Sequence, residues 1–228
     1  MGSSEVAVFV KWVRQHQGMS DRVRHCMTAV KLLADDDELV RFLHRESPAG
    51  WADETLIEEF FSVADPPETV ELLSRFARHL SPALFKKVFD RTLQTSSDIE
   101  VLSRLMWVAG MYLDRNLGAF PLPRSLADRL LASEDLDHRL GGLKALRHSL
   151  ASSDEVVRQI TAAMKRGWED KWAGLSPLCR ILDEQGARLA DAISAETLNE
   201  LRNVLAHIAE TDSEPDARRA AARCIGLL

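Results

Sequence analysis

A chain of 228 residues with 46% apolar and 28% charged side chains is long enough to bury a sizeable core, and its net charge of −6 runs against the basic balance of nucleic-acid binders. Eleven glycines, eight prolines and one tyrosine leave too little turn and aromatic material for a strand protein, while Leu and Ala dominate the apolar set, so an all-α fold is expected. No apolar run approaches the ~18 residues of a membrane span.

In chain order, Ser4–His16 places Val6, Phe9, Val10 and Val13 on one face and Val8 and Trp12 outside it, so the first helix is apolar on more than one side. Asp21–Leu33 carries Val23, Cys26, Met27, Val30 and Leu33 at helical spacing. A short helix over Asp36–Arg45 stops at Ser47-Pro48-Ala49-Gly50, and Asp53–Ala64 follows with Leu56, Ile57, Phe60 and Phe61. Pro66-Pro67 opens a helix whose inward side is Val70, Leu73, Phe76, Ala77 and Leu80. Ser81-Pro82 caps the next, which turns Leu84, Phe85, Val88 and Phe89 inward. Asp98–Leu113 is apolar nearly all round, which calls for neighbours on several sides and puts Trp107 in the core.

The loop Asn116–Pro123 marks a change of course. Beyond it come a short helix about Leu126 and Leu130, a longer one over Leu136–Leu150, and one capped by Ser152-Ser153-Asp154 with Val156, Val157, Ile160 and Met164 inward. After Gly167 the pattern loosens, with Gly174 and Pro177 as interruptions. Ser194–Glu210 carries Leu198, Leu201, Leu205 and Ile208 and leads into Glu214–Leu228. Cys26, Cys179 and Cys224 each fall on an apolar stripe, as thiols do in a reducing compartment. Met1–Ser4 does not read as a leader, and Val6 stands where a myristoylation signal has Ser or Thr, so a cytoplasmic protein is expected.

The last stretch, EPDARRAAARCIGLL, begins with an Asp and paired Arg. Ala217, Ala220, Ala221, Cys224 and Leu228 then form a narrow stripe of mostly small residues that lets another helix come close. DHRLGGLKAL repeats the pattern, with Asp137 and Arg139 in the same places. Both stretches resemble the second helix of a HEAT repeat. The resemblance implies an α-solenoid of about six HEAT-like helical pairs, somewhat irregular in the first half. It would form a single domain over 1–228.

Second helices starting near Asp21, Asp65, Asp98, Asp137, Asp170 and Asp216 are spaced by 44, 33, 39, 33 and 46 residues, a mean of 39. HEAT and armadillo units run at about 40 to 47 residues. Asp21, Asp137 and Asp216 carry the Asp-plus-Arg pattern, the other three rest on periodicity, and an irregular helical bundle is the alternative architecture. Solenoids need polar end caps. Here VAVFVKWV and CIGLL stand at the ends, so the ends are expected to fold back on neighbours or to meet a partner or a second copy; amphipathic end helices whose outer residues happen to be apolar are the alternative.

Charge is unevenly placed. Between Asp35 and Glu71, 12 acids stand against Arg41 and Arg45, a balance of −10 in 37 residues; with −6 for the whole chain, the remainder carries +4. Asp35, Asp36, Asp37, Glu58 and Glu59 are therefore candidate contacts to a basic protein, and the same field opposes nucleic acid. A solvated, solubilising face is the alternative. Trp168 and Trp172, in KRGWEDKW, share a face if their helix is continuous, and they are candidate anchors for a protein partner or, alternatively, fillers between repeats. Arg218, Arg219 and Arg223 either line a binding face or pair with Asp216 and acids of the preceding repeat.

Catalytic patterns are lacking: the chain has no HExxH, GxxxxGK[ST], CxxC or GxSxG, and the adjacent His25 and Cys26 diverge on a helix. No residue set calls for a metal or cofactor. Two HEAT-like enzyme families bear comparison. Deoxyhypusine hydroxylase binds iron through His-Glu pairs, and no His-Glu dipeptide occurs here. The AlkD-like alkylpurine DNA glycosylases have nearly this length and use Trp, Asp and Arg in a basic groove. Trp107, Asp114 and Arg147 match by type but not by a recognisable spacing. The expectation is a non-enzymatic protein-binding module or scaffold. A glycosylase-type or other DNA-binding protein is the first alternative, and a toxin-neutralising, immunity-type protein the second.

Overall fold

The computed structural model describes residues 58, 61–62, 64–77, 80–115, 117–149 and 151–228, without the side chains of 168–170, 172, 173 and 187. The expected helices over Ser4–His16, Asp21–Leu33 and Asp36–Arg45, most of Asp53–Ala64, and the candidate residues Asp35, Asp36, Asp37 and Glu59 lie outside these residues. The described residues form helices joined by short connections, and among them the only extended pairing is a bridge between Leu122 and Ser149. The chain divides into two compact units, Met1–Ser96 and Ser97–Leu228.

In the first unit, helix α1 (Pro66–Phe76) starts where its sequence caps it. The Asp65 carboxylate accepts from the Glu68 backbone N–H at 2.8 Å, the Glu68 carboxylate accepts from that of Asp65 at 3.4 Å, and Pro66 follows at the first helical position. The Ser81 hydroxyl caps α2 (Pro82–Thr95) by accepting from the Leu84 backbone N–H at 3.3 Å, again with Pro at the first helical position. The two helices pack through Val70, Leu73, Phe76, Leu84, Phe85, Val88 and Phe89, all buried as their spacing predicts. Arg91 of α2 donates to the carbonyls of Phe61 and Ala64, which ties α2 to the segment before α1. Asp65→Ala removes the side-chain half of the capping box, leaving the Glu68 N–H without its acceptor, and lowers stability by about 1 kcal/mol. A reduced urea midpoint for the loss of helical signal is the measurement that checks it.

The second unit contains α3 (Ile99–Asp114), α4 (Arg124–Leu131), α5 (Leu136–Leu146), α6 (Ser153–Met164), α7 (Trp168–Gln185), α8 (Ala187–Ala192), α9 (Ala195–Thr211) and α10 (Pro215–Leu227). Neighbours in sequence pack as pairs: α4 on α5, α6 on α7, α9 on α10. Alternate helices also meet, α3 with α5 and α5 with α7, and across the short α8 so do α6 with α9 and α7 with α10. A shared core of Leu143, Leu146, Val157, Ile160, Leu175, Leu178, Leu182, Leu201, Leu205, Ala221 and Cys224 joins the last three pairs.

Local devices recur at matching positions. The fourth residue of α5, Arg139, donates to the carbonyls of Glu134 and Ser133 at 2.6 and 3.3 Å. The fourth residue of α10, Arg218, donates to those of Asp212 and Ser213 at 2.6 and 3.4 Å. In each case the guanidinium satisfies the loop carbonyls five and six residues upstream, which fixes the entry to the helix. The seventh residue is small in α5, α7 and α10: Gly142, Gly174 and Ala221. A Cβ at Gly142 would meet the Ala127 carbonyl of α4 at 3.0 Å, and one at Gly174 would meet Met164 Cγ of α6 at 2.6 Å.

The structure corrects three expectations about where the helices of this unit run. Gly174 and Pro177 do not interrupt a helix; α7 runs unbroken from Trp168 to Gln185. Burial of Leu175, Leu178, Ile181 and Leu182 on both sides of Pro177 outweighs the roughly 3 kcal/mol cost of an interior proline. The helix expected over Leu136–Leu150 ends at Leu146, because the chain turns so that the His148 carbonyl accepts from Leu122 N–H at 2.9 Å. The short helix α8 was not anticipated. It begins after Gly186, whose φ of +52° lies in the left-handed region that glycine adopts without strain.

Candidate functional site

Two glycines bring α3 and α5 together. A Cβ on Gly110 of α3 would meet the Lys144 carbonyl of α5 at 2.7 Å, and a Cβ on Gly141 of α5 would meet the Ser103 carbonyl of α3 at 2.5 Å. Ser103 Oγ closes the contact by donating to the Asp137 carbonyl at 2.8 Å. This close approach sets Asp114, the last residue of α3, against the C-terminal turn of α5.

Asp114 is only 3% exposed and gathers four basic side chains. Lys144 Nζ lies 2.5 Å from Oδ2, His148 Nε2 bonds Oδ1 at 2.8 Å, Arg147 Nη1 is 3.3 Å from Oδ1, and Arg180 Nη1 of α7 is 3.8 Å from Oδ2. Arg180 also donates to the Asp114 carbonyl. Outside this ring Arg147 Nη2 donates to both oxygens of Glu184, at 2.8 and 2.9 Å. A carboxylate at the negative end of a helix dipole needs such company, and cations at the end of α5 are favoured by the dipole of that helix. Burial by itself would raise the Asp114 pKa. The hydrogen bonds of His148 and Lys144, and the charges of Lys144 and Arg147, outweigh it and hold the carboxyl well below the usual range.

Trp107 lies two turns before Asp114 on α3. Its expected place in the core is wrong: it is 42% exposed, on a stripe with exposed Arg104 and half-buried Met111 that the packing of α3 leaves open. Among the described residues Trp107 lies on the side of this apolar helix that its neighbours cover least. Lys144 Nζ stands 5.7 Å from the centre of its ring, a cation–π contact that couples the exposed aromatic to the Asp114 cluster.

Trp107, Asp114 and Arg147 are thus brought into one neighbourhood, which their spacing in the sequence does not reveal. Their arrangement does not suit base chemistry at a solvent-open site, since the Asp114 carboxylate is buried and its oxygens are taken by Lys144, His148 and Arg147. Around Trp168 and Trp172, continuity of α7 meets the condition for the two positions to share a face, while their side chains lie outside the described residues. Glu58 is exposed and pairs with Lys87. Asp65 and Glu68 form the capping box of α1 and Glu71 pairs with Arg75 at 3.0 Å, so every described acid of the 35–71 stretch has a local role. Arg219 pairs with Asp216 and Arg223 with Asp183 of α7, the second of the two arrangements expected for them.

An open groove of about 690 Å³ lies between the α6–α7 connection and α9, lined by Lys165, Lys171, Asn203, His207 and Asp212 among others. Its charged residues are engaged: Lys165 with Glu200, and Lys171 with Asp212, whose carboxyl is held below its ordinary value chiefly by that bond. Among the described residues no three His, Cys, Asp or Glu side chains gather as a metal site would require, and no helix is long and apolar enough to cross a membrane. A scan against protein-family models finds no match to this chain, and searches of curated proteins and of solved structures find none either.

Proposed function

We propose that this chain is a non-enzymatic helical-repeat module of HEAT-like type that binds another protein. The observation that carries the reading is Trp107, a large aromatic held 42% exposed on a well-packed helix and braced by Lys144. Such an anchor is already ordered before a partner arrives, so little side-chain entropy is lost on binding, and Trp is enriched among residues that dominate interfaces. The repeat part of the reading is supported by the pairing of α4 with α5, α6 with α7 and α9 with α10, by the contacts of alternate helices, and by the matched Arg139 and Arg218. The surplus of acid over 35–71 favours a partner with a basic surface, through faster encounter at low salt.

The test is retention of proteins from a lysate on the immobilised full chain, compared with Trp107→Ala, Trp168→Ala and Trp172→Ala. A specific partner is expected to bind the Trp107→Ala chain about 30-fold more weakly, the effect of losing roughly 2 kcal/mol at a central anchor. Its association should slow as salt rises. Salt-sensitive binding of duplex DNA, with no protein retained, would instead favour the glycosylase-type reading. An immunity-type protein differs from the module in its partner alone, and the captured protein would identify it.

A further inference from the structure

Cys179 and Cys224 are 45 residues apart in sequence and meet where α7 packs on α10. Their Sγ atoms are 2.8 Å apart, inside the usual contact distance of unbonded sulfurs and less than an ångström beyond a disulfide bond of about 2.05 Å. Cys224 is fully buried, whereas Cys179 is half-buried and within reach of a small solute. Arg223, one residue before Cys224, pairs at 2.6 Å with Asp183, one turn after Cys179, so an ion pair flanks the thiols and holds the same two helices in register. Both sulfurs are free in this structure.

We propose that Cys179 and Cys224 form a redox couple, which a hydroperoxide converts to an intramolecular disulfide clamping α7 to α10. The Cys179 thiolate attacks one peroxide oxygen, the O–O bond breaks, and the departing hydroxide takes a proton to leave as water. Cys179 is then a sulfenic acid. The Cys224 sulfur attacks the Cys179 sulfur, the S–O bond breaks, the S–S bond forms, and a second water leaves with the Cys224 proton. Two thiols thus lose two electrons and two protons, and hydrogen peroxide becomes two waters.

The polarity of the couple supports this order. The bond from Cys224 draws the Cys179 thiol down to about 7, with Arg223 assisting against burial and Asp183. The same contact and burial push the Cys224 thiol up. Because Cys179 is also the partly exposed thiol and Cys224 the buried one, Cys179 is the attacking sulfur and Cys224 the resolving one.

The test treats the full chain with a small excess of hydrogen peroxide, followed by thiol titration, non-reducing peptide mapping and thermal melting. Titratable thiols should fall from three to one, a linked peptide pair should contain Cys179 and Cys224, and Tm should rise by on the order of 10 °C, a gain reversed by dithiothreitol. Under the same treatment Cys224→Ser should accumulate a Cys179 sulfenic acid trapped by dimedone. The proposal is overturned if Cys179 passes to a sulfinic acid while Cys224 stays a thiol, if the linkages formed join separate chains or involve Cys26, or if both thiols survive.

Discussion

Asp114→Ala is expected to lower the free energy of unfolding by about 3 kcal/mol, the effect of removing one partner from a buried ion cluster. The carboxylate is 3% exposed, and without it Lys144, Arg147, His148 and Arg180 crowd the junction of α3, α5 and α7 with Glu184 as the nearby counter-charge. The basic side chains keep partial access to water, which holds the loss to the lower end of the range. Asp114→Asn preserves the shape and an acceptor, and should lose less. Urea unfolding at neutral pH measures both; a loss below about 1 kcal/mol for the alanine variant would reduce the cluster to an ordinary surface network.

Acid provides an independent check on the same group. The Asp114 pKa is lowered in the folded chain from an ordinary value of 3.8, so its stabilisation is fully present above that value and is lost as pH falls through it toward the depressed folded value. The stability gap between wild type and Asp114→Asn should therefore be flat from neutral pH to about pH 5 and narrow below about pH 4. A gap independent of pH down to the acid limit would mean that geometry, and not charge, is what Asp114 supplies. A role in catalysis would show the opposite pattern, with binding or turnover lost and stability kept.

Gly141→Ala should destabilise by about 1–3 kcal/mol although alanine is the better helix former. The new methyl would lie 2.5 Å from both the carbonyl oxygen and the hydroxyl of Ser103. The hydroxyl can rotate away, but the carbonyl belongs to α3 and moves only with the helix. Restoring ordinary contact near 3.4 Å requires α3 and α5 to separate by almost an ångström, which also stretches the Lys144 and His148 contacts to Asp114. Gly226, with nothing within 4 Å of its would-be Cβ, is the control: Gly226→Ala should be neutral or stabilising by up to about 1 kcal/mol. Equal responses at the two sites, read as shifts in Tm, would contradict the close approach described.

Much of the helical outline is legible in residues that act locally. Asp65, Ser81, Asp98, Ser152 and Ser194 each accept a backbone hydrogen bond at the start of a helix, and apolar spacing correctly picks the buried sides of α1, α2, α6 and α9. Reading failed where a distant contact overrode a local preference. Pro177 and Gly174 look like breaks until the buried residues about them are counted, and Trp107 looks like core because periodicity cannot say which side of an all-apolar helix stays open.

The sequence by itself determined the all-helical fold class, the caps and the stripes, because these depend on residues within a turn or two of one another. Tertiary structure alone decided the rest. Asp114 and Lys144 are 30 positions apart, and Cys179 and Cys224 are 45 apart. Asp114 and Lys144 meet because Gly110 and Gly141 let α3 and α5 approach closely, and the two cysteines meet because α7 packs on α10; no local pattern carries the distance between two helices packed far apart in sequence.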